Sequence, residues 1–244
     1  MPDSPIFRRI GGSTAGPALL GGLALVGLAG YVAAWMPHVS PALRVAGLDL
    51  GEVVKFLPQV RSGEIRLVRE LFYLPPLACA LALLLAGWWW SGRGRWLARL
   101  AAVGGAVLAA LLMLPPVWTP TTLLRGEFRW QGLAMVVCAA LALASPALHR
   151  PRVRRGFAGL VAIVCLLAAT VPAAQYWRIR PALEQVYRAV ALPVGWGVWC
   201  TAAAFLAAAV VALAACGRAQ ADSSPRGSSG FPLSNDGNLI DRQQ

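Results

Sequence analysis

Arginine side chains at the ends of apolar segments have the clearest potential for binding chemistry in this sequence. Arg66 and Arg69 precede one apolar segment, and Arg178 and Arg180 follow another. A guanidinium group presents a fork of N–H donors that matches the oxygens of a phosphate or a carboxylate. We therefore predict that these four arginines contact an anionic lipid headgroup or an anionic substrate.

Glutamate side chains in the same connections offer these arginines another partner. Glu64, Glu70 and Glu184 lie close to them in the sequence. Exposed ion pairs contribute only about 0–1 kcal/mol each, so pairing would neutralise the arginines without indicating a function. A simpler hypothesis is that both connections only link apolar segments and cover their ends. The sequence alone leaves these alternatives open.

Groups that carry catalytic, haem or metal chemistry are sparse or unsuitably spaced. The two histidines, His38 and His149, fall at the ends of different apolar segments, whereas haem held between helices takes facing ligands at a shared depth. The apolar segments contain no Asp, Glu, Lys, Arg or His for proton-coupled transport or intramembrane hydrolysis. We therefore expect no cofactor and no metal. Carboxylate catalysis would be confined to the connections, at Glu52, Glu64, Glu70, Glu127 and Glu184.

The five cysteines are dispersed, and no two of them form a C-x-x-C pair. Such cysteines usually act as small buried hydrophobes rather than as redox or metal groups. This interpretation applies to Cys79, Cys138, Cys165, Cys200 and Cys216.

The elements that position all of these residues are membrane helices, as the composition indicates. Of the 244 residues, 58% are hydrophobic and 13% are charged, and the mean hydropathy is +0.61. Runs of about 20 apolar residues exceed what a soluble core of this size would bury. The net charge of +12 lies in short segments between those runs, which fits membrane topology better than nucleic-acid binding.

Six apolar segments are long enough to cross a bilayer as helices, since about 20 residues at 1.5 Å each span a hydrocarbon core of roughly 30 Å. The predicted fold is therefore an all-α polytopic membrane helix bundle. Residues 16–216 form the membrane domain, residues 1–15 precede it, and residues 217–244 form a disordered tail. The predicted spans are Gly16–Met36, Leu71–Trp90, Leu100–Trp118, Trp130–Leu148, Gly156–Gln175 and Leu192–Cys216.

Arginine density in the connections predicts the orientation, because short basic loops resist translocation. The denser side includes Arg8, Arg9 and the arginines of residues 93–99 and 150–155, which places both termini in the cytoplasm. The ten tryptophans fall near predicted span ends, where indole rings favour the headgroup level. Among them, Trp35 is predicted to anchor the end of the first span at the membrane–water interface. The predicted location is the cytoplasmic membrane of a bacterial cell.

The outer loop 37–70 and the connection after the fifth span show helical periodicity. We predict short amphipathic helices there that cover the outer end of the bundle. Their predicted apolar faces comprise Leu50, Val53, Val54 and Leu57; Ile65, Val68, Leu71 and Phe72; and, in a helix begun by Pro181, Leu183, Val186, Tyr187 and Val190.

Small residues at four-residue spacing predict close contacts between helices. One series is Ala101, Gly105 and Ala109 in the third span, and another is Ala204, Ala208 and Ala212 in the sixth. Irregular backbone is expected at residues 193–197, where Pro193 is followed by Gly195 and Gly197.

These observations favour a noncatalytic structural, assembly or accessory component of the membrane. The main alternative is a small permease or lipid-handling protein that binds an anionic group at its outer face. A third hypothesis is an envelope enzyme that uses outer Arg and Glu residues. The expected partners are the lipid bilayer and either an anionic lipid or another membrane protein, but not nucleic acid.

Overall fold

The computed structural model describes residues 14–38, 44–114, 119, 121, 126, 128–186 and 193–221. These residues are predominantly helical. The α-helices among them are α1 (Ala15–Val32), α2 (Gly47–Val53), α3 (Pro58–Arg61), α4 (Leu74–Trp89), α5 (Arg95–Leu111), α6 (Arg129–Ala144), α7 (Pro151–Val186) and α8 (Trp196–Ala221). Three short 3₁₀ turns cover Val54–Phe56, Arg69–Tyr73 and Ser145–His149. Strands β1 (Ala34–Met36) and β2 (Val45–Ala46) pair in an antiparallel ribbon.

Five helical segments of the described chain are long and apolar enough to cross a membrane. This supports the predicted helical membrane protein, and the number of crossings stays a prediction. The five are Ala15–Val32, Arg69–Trp89, Arg129–His149, Pro151–Val186 and Trp196–Gly217.

Helix α5 occupies the position of the predicted third span but begins earlier. It contains 17 residues, and Arg95 and Arg99 fall in its first two turns. The predicted span Leu100–Trp118 extends past α5 to residues 115–118, which lie outside the described residues.

Helix α4 lies at the centre of the bundle and packs against α1, α5 and α7. Its side chains from Ala78 to Ala86 are buried all around the helix, and most of them are Ala or Leu. Small side chains let neighbouring backbones approach closely. At Gly87, a Cβ atom would lie 2.4 Å from the Cβ of Ala102 on α5. The middle of the bundle is therefore filled with apolar side chains.

Helix α7 is longer than the sequence pattern predicts. Its 36 residues span about 54 Å at 1.5 Å per residue and continue through Pro172 and Pro181. The prediction that Pro181 begins a separate helix is therefore wrong. Beyond Gln175 the helix is held by tertiary packing, because Ile179 and Leu183 are buried against the first long connection.

The two predicted small-residue seams have different outcomes. Ala204, Ala208 and Ala212 are buried on α8, as predicted. On α5 the buried positions are Ala102, Ala106, Ala109 and Ala110, whereas Ala101 is exposed and Gly105 is half-buried. The prediction is therefore correct for Ala109 and wrong for Ala101, and the buried face of α5 is rotated towards Ala102 and Ala106.

The first long connection follows its predicted periodicity only in its first half. Leu50, Val54 and Leu57 are buried, and Val53 is half-buried. Residues 66–68 are not helical, and Val68 is 53% exposed, so the predicted helical face that begins at Ile65 is wrong.

Several predictions concern residues that the structure does not describe. They include the N-terminal segment 1–13, Arg8, Arg9, Trp118, Glu127, Tyr187, Val190 and the tail 222–244. Helix α8 continues to Ala221, so the first residues of the predicted disordered tail are helical.

Candidate functional site at the capped end of the bundle

Residues 34–38 and 44–73, here called the cap, close one end of the helix bundle. The cap contacts the adjoining ends of α1, α7 and α8. A second buried cluster, distinct from the bundle core, joins the cap to these helices. Its largest side chains are Tyr31, Trp35, Phe72 and Tyr176. The charged residues predicted to bind an anion lie on or beside this cap.

Trp35 is the centre of the buried cluster. Its ring meets Tyr31 and Tyr176 edge-on, with centroid distances of 6.5 and 5.7 Å. The indole N–H donates to the carbonyl oxygen of Gly30 at 3.2 Å. The interpretation of Trp35 as an interface anchor is therefore wrong: the side chain is 1% exposed and contacts protein. A Trp beside a span end can face either lipid or protein, and the sequence does not separate the two.

The backbone of α8 approaches β1 very closely at the predicted irregular segment. Residues 193–195 are not helical, and the Gly195 N–H donates to the Trp35 carbonyl oxygen at 2.8 Å. The Tyr176 hydroxyl donates to that same oxygen at 3.2 Å. A Cβ at Gly197 would lie 2.6 Å from the Gly30 carbonyl oxygen. These contacts lock the cap to α1, α7 and α8.

Arg69 is engaged by neighbouring side chains. Its Nε lies 3.3 Å from Glu70 Oε1, and its guanidinium lies 5.4 Å from the centroid of the Phe128 ring. The ammonium group of Lys55 lies 5.2 Å from the same ring centroid. Two cations from different parts of the cap therefore share one aromatic side chain, an arrangement that sequence spacing did not indicate.

Glu52 connects Lys55 to the start of the second span. Its Oε2 lies 2.5 Å from Lys55 Nζ, and its Oε1 accepts a hydrogen bond from the Tyr73 hydroxyl at 3.3 Å. Gln131 on α6 donates to the Met113 carbonyl oxygen at 3.4 Å. Both oxygens of the Glu52 carboxylate therefore have partners within the fold, Lys55 and Tyr73.

Arg180 is also paired. Its Nε donates to Glu184 Oε1 at 2.9 Å, one helical turn away on α7. Its guanidinium lies 5.1 Å from the Trp177 ring centroid. Arg178, two residues earlier, is exposed, and so is Arg66 on the cap. The four predicted arginines thus comprise two paired side chains, Arg69 and Arg180, and two exposed ones.

The opposite end of the bundle holds an arginine that sequence reasoning treated only as a topology signal. Arg99 on α5 lies over the Trp88 ring, with 4.1 Å from guanidinium carbon to ring centroid. Trp88 belongs to the last turn of α4. The available signal was a Trp-Trp-Trp run joined to an Arg-rich helix start by a short turn.

His149 and the cysteines are among the remaining side chains that could bind a metal or react. His149 Nδ1 lies 2.6 Å from the Pro146 carbonyl oxygen. Cys79, Cys138 and Cys165 are buried, as predicted, whereas Cys200 and Cys216 are only half-buried, so the prediction is wrong for these two. Within the described residues, no group of three or more His, Cys, Asp or Glu side chains is arranged to hold a metal ion.

Comparison with protein-family models, curated proteins and solved structures finds no match for this chain.

Proposed function

We propose that the chain is a noncatalytic integral membrane protein that serves as a structural, assembly or accessory component. One observation carries this proposal: the central helix α4 is buried on all sides in an apolar cluster, and its own side chains from Ala78 to Ala86 are Ala, Leu and Cys. A transport path or an intramembrane catalytic centre would require polar groups facing the middle of the bundle. A solid apolar centre is instead suited to holding a fixed shape in the bilayer.

Thiol accessibility at Cys79 tests this proposal. Cys79 lies on α4 and is 0% exposed. In a variant that keeps only this cysteine, a small charged thiol reagent should fail to label it from either side of the membrane, and labelling should appear after denaturation. A matched variant that carries Arg178→Cys instead should label readily, because Arg178 is exposed. Labelling of Cys79 in the folded protein would contradict the proposal and favour a permease.

We further propose six crossings, with α5 as the third, and both termini in the bacterial cytoplasm. The carboxylates that the structure describes, Asp49, Glu52, Glu64, Glu70 and Glu184, all lie on the cap or on the adjoining end of α7. Arginines occur at both ends of the bundle, and at the other end they lie in the short connections of residues 93–99 and 150–155. Short arginine-rich connections are typical of the cytoplasmic side.

Cysteine labelling at residue 226, which lies outside the described residues, tests this topology. Arg226→Cys in a cysteine-free background should resist a membrane-impermeant probe in intact cells. It should react in inside-out vesicles. Arg178→Cys should show the reverse pattern, because the proposal places the cap outside. Labelling of residue 226 in intact cells would contradict the proposed orientation.

A second candidate function is binding of an anionic headgroup at the cap end. The exposure of Arg66 and Arg178 supports it, since these two guanidinium groups face the surroundings while Arg69 and Arg180 contact glutamates. A charge-assisted contact with phosphate contributes about 1.5–3 kcal/mol. Arg178 lies two residues from Arg180, so the pair provides its own matched comparison.

We expect Arg178→Gln to weaken phosphatidylglycerol binding about tenfold, because it removes a charge-assisted contact. Arg180→Gln should weaken it less and should instead lower stability slightly through the loss of the Glu184 pair. Native mass spectrometry of the purified variants measures both affinities. Equal binding by the wild type and Arg178→Gln, with normal folding, would show that Arg178 does not bind the lipid and would contradict this second candidate function.

A further inference from the structure

The junction between α4 and α5, at the end of the bundle opposite the cap, contains an unusual arrangement of hydrogen-bond donors. Close packing at Gly87 brings the backbone of α5 against the last turn of α4, since a Cβ there would lie 3.5 Å from Arg99 Cα. This contact holds the Arg99 guanidinium 4.1 Å from the centroid of the Trp88 ring. The ring face attracts the cation and orients it.

Several N–H groups at this junction are buried without an acceptor in the part of the chain that the structure describes. Arg99 Nε, Trp88 Nε1 and Trp90 Nε1 are buried and have no hydrogen-bond partner among the described residues. Buried polar groups are nearly always paired, so such a set needs an explanation. All three atoms are donors only, and the missing partner must therefore be an acceptor.

The charges around this junction indicate that the acceptor is an anion. Arg95 lies one helical turn before Arg99 on α5, and Arg93 lies in the preceding turn. Arginines four residues apart on a helix repel each other. The described chain offers no carboxylate at this end, since its Asp and Glu residues lie on the cap or on the adjoining end of α7.

The position of the junction indicates which anion the surroundings supply. Trp88 and Trp89 end α4, and Trp90 directly follows it. Indole rings concentrate at the headgroup level of a bilayer. Although its Nε is buried, Arg99 as a whole is only half-buried, so part of its side chain is open to a headgroup. At this depth, phospholipid phosphates are the abundant acceptors. The positive charges of Arg95 and Arg99 favour a headgroup of net negative charge over one that also carries a cation, such as phosphatidylcholine.

We propose that Arg99 and Trp88 form a specific site for the phosphate group of an anionic phospholipid. The Arg99 fork holds two phosphate oxygens, and the Trp88 N–H donates to the same group. Trp90 and Arg95 flank the headgroup. This site is separate from the cap, and it gives Arg99 a role beyond the topology signal of its neighbours.

Hydrogen–deuterium exchange of the purified full chain locates the binding. In nanodiscs that contain phosphatidylglycerol, the amides of residues 91–98 should exchange at least about threefold more slowly than in phosphatidylcholine nanodiscs. Arg99→Gln should abolish this protection and lower the phosphatidylglycerol affinity about tenfold. Trp88→Phe keeps the ring for Arg99 but removes the N–H, and it should lower the affinity severalfold. Because this substitution is conservative, it tests the site even if Arg99→Gln folds poorly.

Arg152→Gln is the matched control, since Arg152 is an exposed arginine near the start of α7, at the same end of the bundle. It should retain both the protection and most of the affinity. Inorganic phosphate added to phosphatidylcholine nanodiscs should give no protection, whereas protection by phosphate alone would overturn the assignment to a lipid. If Arg99→Gln and Arg152→Gln lost equal amounts of phosphatidylglycerol affinity, the specific site would be overturned, and a general attraction between the lipid and the positive charge at this end would explain the binding. Normal protection in folded Trp88→Phe and Arg99→Gln would overturn it as well.

Discussion

Gly195→Ala is expected to lower the free energy of unfolding by about 3 kcal/mol or more and to reduce the yield of folded protein, since overpacking against rigid neighbours is costly. The added Cβ would lie 2.0 Å from the Ala34 carbonyl oxygen. That neighbour is backbone, so no side-chain rotation can relieve the clash. The shift would also disturb the hydrogen bond from Gly195 N–H to the Trp35 carbonyl oxygen. Thermal unfolding of the detergent-purified protein measures the loss.

Gly104→Ala is the control for this substitution. Nothing lies within 4 Å of a Cβ at Gly104, in the middle of α5. Ala is favoured over Gly in a helix by about 1 kcal/mol, so this variant should melt at or above the wild-type temperature. A Gly195→Ala variant that melts like the wild type would show that Gly195, just before α8, does not approach β1 as closely as described.

Trp35→Ala should lower the free energy of unfolding by about 3–5 kcal/mol, as expected for deleting a fully buried large side chain. The loss includes the ring contacts with Tyr31 and Tyr176 and the hydrogen bond to the Gly30 carbonyl oxygen. Limited proteolysis should also become faster in the cap, because the cap would lose the centre of its buried cluster. Thermal unfolding and cleavage rates measure the two effects.

Trp199→Ala separates burial from a general requirement for tryptophan. Trp199 is 60% exposed on α8, so its removal should cost less than about 1 kcal/mol. If Trp35→Ala and Trp199→Ala had equal effects, Trp35 would be acting at the headgroup level after all. A large effect confined to Trp35 would support the packed cap.

The membrane class and most span positions follow from composition and run length. Charge-free runs of about 20 residues have few stable alternatives, because backbone groups in lipid must be satisfied within the helix. The buried face of Leu50, Val54 and Leu57 was also predictable, since helical spacing requires only local information. Arg178 and Arg180 could be named as candidates because they follow an apolar run. Their different environments could not be predicted from position alone.

Tertiary packing decided which side of each element faces protein. In a membrane helix both lipid-facing and protein-facing positions are apolar, so the sequence did not show that Ala102 rather than Ala101 is buried on α5. The same ambiguity concealed the burial of Trp35. It also concealed the extension of α7 through Pro181, which depends on contacts of Ile179 and Leu183 with a distant part of the chain.

By itself, the sequence determined where each segment partitions: the apolar runs into the bilayer core, and the charged connections at its surfaces. Only the tertiary structure decided which charges meet distant parts of the chain, placing Arg69 beside Phe128 and Arg99 on Trp88. The physical reason is that partition between lipid and water depends on local composition, whereas pairing within the fold depends on which residues the packed helices bring together.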